Sequence, residues 1–300
     1  MKGKSFVIGV LRAVFIIGVA YIILQPLLTK LSSSFMTISD MFDQTVKWLP
    51  RTFTLQHYKD AWGFMNYPIA FRNTFSLTLA VSILQLASCT LVGYGLGRFK
   101  FKGGKIIFAM VIFTLIVPPQ MLMVPMYLNF RYFDIYGLLP PPGLNLLNSV
   151  WPFILISITG VGLRNGLFIY IMRQFFRGMP KDLEDAAYVD GAGLLRTFLT
   201  IMLPSAVPGL VIVFLFAFVW QWNDYFYTTL FMGGQGKFLT HALDNIAVKA
   251  VEGRTDLLRT HYSSLISNTG MILFILPLLI LFALMQRYFI ESIERTGIIG

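Results

Sequence analysis

The chain has 300 residues, of which 56% are hydrophobic and 13% charged, with a mean hydropathy of +0.69 and a formal net charge of +10. That leaves too little polar surface to solvate a globular fold of this size, so a soluble domain is excluded and an integral membrane protein is expected. The positive charge does not mark a nucleic-acid binder, because the basic residues flank apolar runs instead of lining one face.

Runs long enough to cross about 30 Å of hydrocarbon, roughly 20 residues each, fall near 6–28, 75–97, 105–128, 149–172, 204–221 and 267–288. They predict an all-α integral membrane fold with six transmembrane helices. The first run follows Lys2 and Lys4 as a signal sequence would, but it is long and no small-x-small cleavage site follows, which predicts a retained anchor. In the second run lies Cys89, the only cysteine, so a disulfide framework or thiolate metal site within one chain is excluded. Gly93-x-Gly95-x-Gly97 closes that run and suits close helix packing. Arg98, Lys100, Lys102 and Lys105 then form a short connector without acids, which the excess of positive charge on cytoplasmic loops places inside the cell. Alternation puts both termini and the 173–203 loop inside, and the long segments near 30–72 and 223–266 outside. His57, His241 and His261 all fall in those external segments at no metal-ligand spacing.

Pro118, Pro119 and Pro125 interrupt the third run and predict a kinked helix beside a pathway. Within the fourth run, Gly162-x-x-x-Gly166 reads as a packing surface. Arg164 and Asn165 lie about nine residues, or ~13 Å of helix, before the end marked by Arg173, near mid-membrane. A charge there is costly and should face a pathway or a partner.

Between the fourth and fifth runs stands Met179–Pro204, MPKDLEDAAYVDGAGLLRTFLTIMLP. Asp182 is placed to cap a short helix over roughly 182–189, and the acids crowd its N-terminus, where the dipole favours negative charge. Ala186 and Ala187 allow another surface to approach closely. Gly191 suits a left-handed C-terminal position that lets the chain turn. A second helix begins near Leu194, with Leu195, Phe198, Leu199 and Met202 along one apolar face, and Pro204 leads into the fifth run. Beyond it, Gly233-Gly234-Gln235-Gly236-Lys237 is a faint phosphate-loop pattern, but Phe238 stands where Ser or Thr would hold magnesium and the spacing is wrong. No clustered catalytic set occurs in the spans, so an enzyme is not expected.

Asp185-Ala186-Ala187, then Gly191, then Ile201-x-Leu203-Pro204 resembles the "EAA" loop of permease subunits in bacterial ABC importers. Flanking segments resemble the maltose-type carbohydrate permeases of that group almost end to end: Trp48-Leu49-Pro50, Asn73-Thr74-Phe75-Ser76, Tyr94-Gly95-Leu96-Gly97-Arg98-Phe99, the 162–176 run, Trp222-Asn223-Asp224-Tyr225 and the Arg287-Tyr288-Phe289 tail. The resemblance implies a type I importer permease fold, one permease domain over 1–300 with a core at 70–290, a coupling loop at 179–204 and a cytoplasmic tail at 289–300. It implies a half-pathway for a sugar or oligosaccharide in the bacterial inner membrane. The expected partners are a second homologous permease, two ATP-binding subunits that carry Mg-ATP, and an external sugar-binding protein. No cofactor is expected in this chain itself.

Glu184, Asp185, Ala186, Ala187, Asp190 and Gly191 are the residues expected to couple to the ATPase. The family usually has Glu where this chain has Asp185, and Glu184 precedes it, so either acid could face the ATPase. On the pathway, Arg164, Asn165 and Asn223 are expected to meet sugar hydroxyls, with Trp220 and Trp222 stacking on sugar faces. The alternatives are a structural contact of Arg164 with the other permease and an interfacial aromatic belt for the tryptophans. Two further readings of the whole chain stay open: a permease for amino acids or peptides, and a secondary transporter, although the latter calls for more intramembrane ionisable residues and an internal repeat.

Overall fold

A computed structural model describes residues 2–43, 45–135, 137–162, 164–234, 237–255 and 258–297, with side chains described between 6 and 286. In chain order the helices are α1 (Lys2–Ser33), α2 (Ile38–Phe42), α3 (Gln56–Phe64), α4 (Tyr67–Arg98), α5 (Gly104–Phe113) and α6 (Met123–Arg131). There follow α7 (Trp151–Ile158), α8 (Asn165–Gly178), α9 (Asp182–Val189), α10 (Leu194–Thr197), α11 (Leu203–Ser205) and α12 (Val207–Trp222). The remainder are α13 (Phe226–Met232), α14 (Leu239–Asp244), α15 (Ile246–Val251) and α16 (Arg259–Gly297). Among the described residues there is no strand, only an isolated bridge between Phe133 and Leu144.

Three stretches are single helices long and apolar enough to cross a membrane: Phe6–Ser33, Tyr67–Arg98 and Arg259–Gln286. The fifth run, 204–221, is carried by Val207–Trp222, which is bent by 75° from the preceding Leu194–Ser205 helix of the bracket. Two of the expected spans are not continuous helices. In 105–128, Pro118 is extended and Pro119 opens a 3₁₀ turn between α5 and α6, because a proline supplies no N–H and disfavours helix in the residue before it. In 149–172 the chain leaves the helix between α7 and α8, with Gly160 and Arg164 both at positive φ. Such a break at membrane depth is tolerated where the freed backbone lines a cavity or is covered by protein.

The chain divides into two compact units, 1–70 with 236–277, and 71–235 with 278–300. The first carries most of the long loop segments. There the Asp60 carboxylate accepts a hydrogen bond from the Tyr262 hydroxyl (2.8 Å), and Lys30 donates to Asn268 (3.0 Å). A Cβ at Gly270 would come within 2.7 Å of Ile246, so α15 packs tightly on α16. The second unit is built on α4, α5, α8 and α12. Gly93 and Gly97 put the bare backbone of α4 against α8: a Cβ at Gly93 would meet Met172 Cβ at 2.6 Å and the Arg173 nitrogen at 2.9 Å. Gly95, between them, faces open space. Phe168, Met172, Phe176, Phe198 and Met202 close this unit's core with Tyr94.

Candidate functional site

The 179–204 segment folds as two short helices about one glycine. Lys181 precedes the first turn of α9, its carbonyl accepting from the Glu184 and Asp185 N–H groups, and no side chain caps the helix. Asp182 therefore does not cap; it is the first helical residue, one position too late, and contributes with Glu184 and Asp185 only through the dipole. At the other end Gly191 has φ +78°. Its N–H donates to the Tyr188 carbonyl (3.0 Å) and the Ala192 N–H to that of Ala187 (2.9 Å), the paired bonds of a left-handed helix ending. Nothing lies within 4 Å of a Cβ built there, so the backbone conformation, not space, calls for glycine.

The second helix starts at Leu194, passes through a π turn at Phe198–Met202 and ends at Ser205. Its expected apolar face is covered only in part. Phe198 and Met202 are buried, with the Phe198 ring 4.7 Å from that of Tyr94, whereas Leu195 is 70% and Leu199 50% exposed. The covered half is the half that reaches the α4–α8 core.

Glu184 and Asp185 have different surroundings: the first is half-buried and the second exposed. The Arg98 guanidinium forms an ion pair with Glu184, donating from Nε at 2.7 Å, and the Tyr94 hydroxyl donates to the other carboxylate oxygen at 3.0 Å. Arg98 Nη1 also donates to the carbonyls of Phe176 (3.1 Å) and Met179 (2.9 Å). One side chain at the end of α4 thus ties together the end of α8 and the start of α9. Asp185, Ala186, Tyr188, Val189 and Asp190 are exposed, while Ala187 is buried. Sequence reasoning treated Arg98 only as a topological charge. The signal it passed over is the Tyr94–Arg98 spacing, four residues apart on one helical face.

A second site surrounds the break between α7 and α8. A cavity of about 520 Å³ is lined by Arg164, Asn165, Gly162, Asn129 and Tyr227 among apolar neighbours from α5 to α8. A smaller one, about 380 Å³, is lined by Arg164, Trp220, Asn223 and Asp224. Arg164 stacks its guanidinium on the Trp220 ring, 4.1 Å from the centroid. Asn165 is 1% exposed, and neither its side-chain oxygen nor its nitrogen has a partner. Asn223 donates to the Val219 carbonyl (2.7 Å). Trp222 is fully buried between Phe218 and Phe71 and lines neither cavity. Asp224 accepts from the Tyr227 and Thr228 N–H groups and the Thr228 hydroxyl; burial still raises its carboxyl above the ordinary 3.8. Among the described residues no three His, Cys, Asp or Glu side chains gather as metal ligands.

Broken apolar helices beside cavities, with a short helical bracket between two of them, are the architecture of a membrane protein with a pathway through it. The chain belongs to the family of binding-protein-dependent transport system inner membrane components, which it matches over residues 90–295. It is thus the membrane component of such a system. The maltodextrin transport permease MdxG of Bacillus subtilis is 28% identical, covering 95% of this chain and 94% of its own length. The diacetylchitobiose uptake permease NgcG of Streptomyces coelicolor is 26% identical, covering 91% and 83%. In fold the chain is similar to a chain of a bacterial ABC transporter involved in the import of the acidic polysaccharide alginate, with a TM-score of 0.76 at 20% identity, covering 95% of this chain and 98% of that one.

Proposed function

We propose that the chain is one permease half of an ATP-driven carbohydrate importer, and that α9 is the element through which an ATP-binding subunit moves it. The relatives named for maltodextrin and diacetylchitobiose uptake support the solute class. The complete complex adds a second homologous permease, two ATP-binding subunits holding Mg-ATP, and an external sugar-binding protein. The single permease domain crosses the inner membrane six times, the third and fourth crossings as broken pairs α5–α6 and α7–α8, with both termini in the cytoplasm. Arg164, Asn165, Trp220 and Asn223 face the solute, with Trp222 supporting them from the core. The tail at 289–300 reaches the ATPases as well; its side chains lie outside the described residues.

The observation that carries the coupling role is the division of labour in α9. Glu184 is held from within by Arg98 and Tyr94, so the outer face offers Asp185, Ala186, Asp190 and the 87%-exposed Val189 to a partner. Gly191 sets the angle between that face and α10. A cysteine at Val189 should form a cross-link to an ATP-binding subunit, and vesicles holding the whole complex should take up carbohydrate only with ATP and the binding protein. Uptake by this chain without any ATP-binding subunit would overturn the reading.

A further inference from the structure

The loop that joins α6 to α7 is apolar in composition and yet exposed. From Tyr132 to Leu163 the only charged residue is Asp134. The side chains that stand outward are large and hydrophobic: Leu138 is 77% exposed, and Tyr132, Ile135, Leu144 and Trp151 are about half exposed. A clustered apolar surface of this kind marks a place that something covers. The backbone of the loop points to what that is. Phe133 and Leu144 exchange N–H to carbonyl bonds at 2.9 Å, the Gly143 N–H donates to the Pro140 carbonyl (2.9 Å) and the Leu138 N–H to that of Ile135 (3.1 Å). The Asp134 carboxylate accepts from the N–H groups of Gly137 and Leu139. Pro140, Pro141 and Pro142 have no N–H to offer. From Gly137 to Leu144, therefore, every backbone N–H is bonded within the loop or replaced by proline, and the one charge is engaged in the turn. A loop in water has no need of such closure, since water would pair its N–H groups; backbone that enters an apolar medium must pair them itself. A protein partner would find few donors here, whereas protein interfaces carry about one hydrogen bond per 100–200 Å². Lipid requires none. The flanks agree: Tyr132 closes α6 and Trp151 opens α7, and these are residue types that sit at the membrane–water boundary.

We infer that this loop is a lipid-binding anchor: the 133–144 turn lies in the headgroup–acyl boundary of the bilayer, on the outer side in the proposed orientation, with Leu138 reaching deepest. The inference goes beyond the transport reading and does not depend on the solute. The test places an NBD fluorophore on Leu138→Cys in the complete importer, held in bilayer nanodiscs. The same label on Glu252→Cys, an exposed acidic position, is the aqueous reference, and the unsubstituted complex, whose Cys89 is buried in this chain, is the blank. Lipid carrying a doxyl group near the headgroup end of its acyl chain should quench Leu138→Cys at least threefold more than Glu252→Cys, and aqueous iodide should do the reverse. Adding Ile135→Asp and Leu144→Asp should at least halve the quenching of Leu138→Cys by lipid. Retention of the ATP-binding subunits on purification shows that each labelled complex is intact; where Leu138→Cys does not assemble, Leu144→Cys carries the label with the same expectation. Quenching by iodide and not by lipid would overturn the inference. So would a label that neither quencher reaches, which would assign the loop to a contact with the second permease. Protection from iodide that arises only when the sugar-binding protein is added would overturn it too and assign the loop to that partner. In each of these cases the proposed function stands.

Discussion

Glu184 and Asp185 are adjacent acids with opposite surroundings. Successive helical residues point about 100° apart, so the two do not share one direction, and periodicity alone does not say which of them faces α4. Arg98 decides it: its side chain is 6% exposed and that of Glu184 12%. Breaking a buried pair by removing one partner leaves the other charge unsatisfied and costs on the order of 3 kcal/mol. Glu184→Gln should therefore lower the thermal unfolding midpoint of the purified protein clearly, whereas Asp185→Asn, at an exposed position, should shift stability by no more than about 0.5 kcal/mol. Equal midpoints for the two variants would refute the assignment. A second residue-scale effect lies in the 1–70/236–277 unit. His57 and His241 are buried, and burial pushes both imidazoles below their ordinary 6.5. A base whose folded pKa is depressed stabilises the fold in its neutral form. That contribution is present above pH 6.5 and is lost as pH falls below it through the folded value. Thermal midpoints measured from pH 8 to pH 5 should decline below about 6.5, and His57→Gln should flatten part of the slope.

At the scale of elements, the bracket was the most legible part of the chain. The helix over 182–189, the glycine turn and the restart at Leu194 all follow from local rules that act within a few residues. What those rules could not supply was depth: the four apolar positions after Leu194 share a face, but only those touching Tyr94 and Phe176 are covered. Gly191→Val forces a β-branched side chain to φ +78° and should cost about 1–2 kcal/mol. With no neighbour to clash with, that strain falls on the angle between α9 and α10. Transport should be lost while the protein still accumulates in the membrane. The glycines of α4 make a sharper comparison. Gly93→Val would drive side-chain atoms into the backbone of α8 and should cost about 1–3 kcal/mol or prevent folding, while Gly95→Ala, two residues away in open space, should leave the midpoint unchanged. A similar loss at both positions would contradict the α4–α8 contact.

For the whole molecule, apolar run length found the three long helices and placed the 204–221 span, because hydropathy reads directly on the cost of burying backbone and side chains in lipid. Hydropathy does not separate a broken pair from a continuous helix, so the interruption at Pro118 is legible only from the prolines themselves and that at Gly160–Arg164 not at all. Orientation rests on a different term, the charge of the loops, and the structure changes how that term is counted. Arg98 is neutralised by Glu184, so the topological bias of the 98–105 connector comes from Lys100, Lys102 and Lys105, which have no acidic neighbour in the connector. On the proposed outer side, Arg51 is paired with Asp43 at 2.9 Å, and long segments translocate with little regard to charge. In the proposed orientation the three lysines face the cytoplasm. Because Cys89 is buried, a cysteine introduced at Lys102 should react with a membrane-impermeant maleimide only after the cells are opened, while one at the exposed Leu49 should react in intact cells. Replacing all three lysines with Gln removes the bias and should give a mixed population in which position 98–105 is reachable from both sides. Labelling of Lys102→Cys in intact cells with the lysines at 100 and 105 still present would invert the topology, and with it the side on which α9 meets its partner.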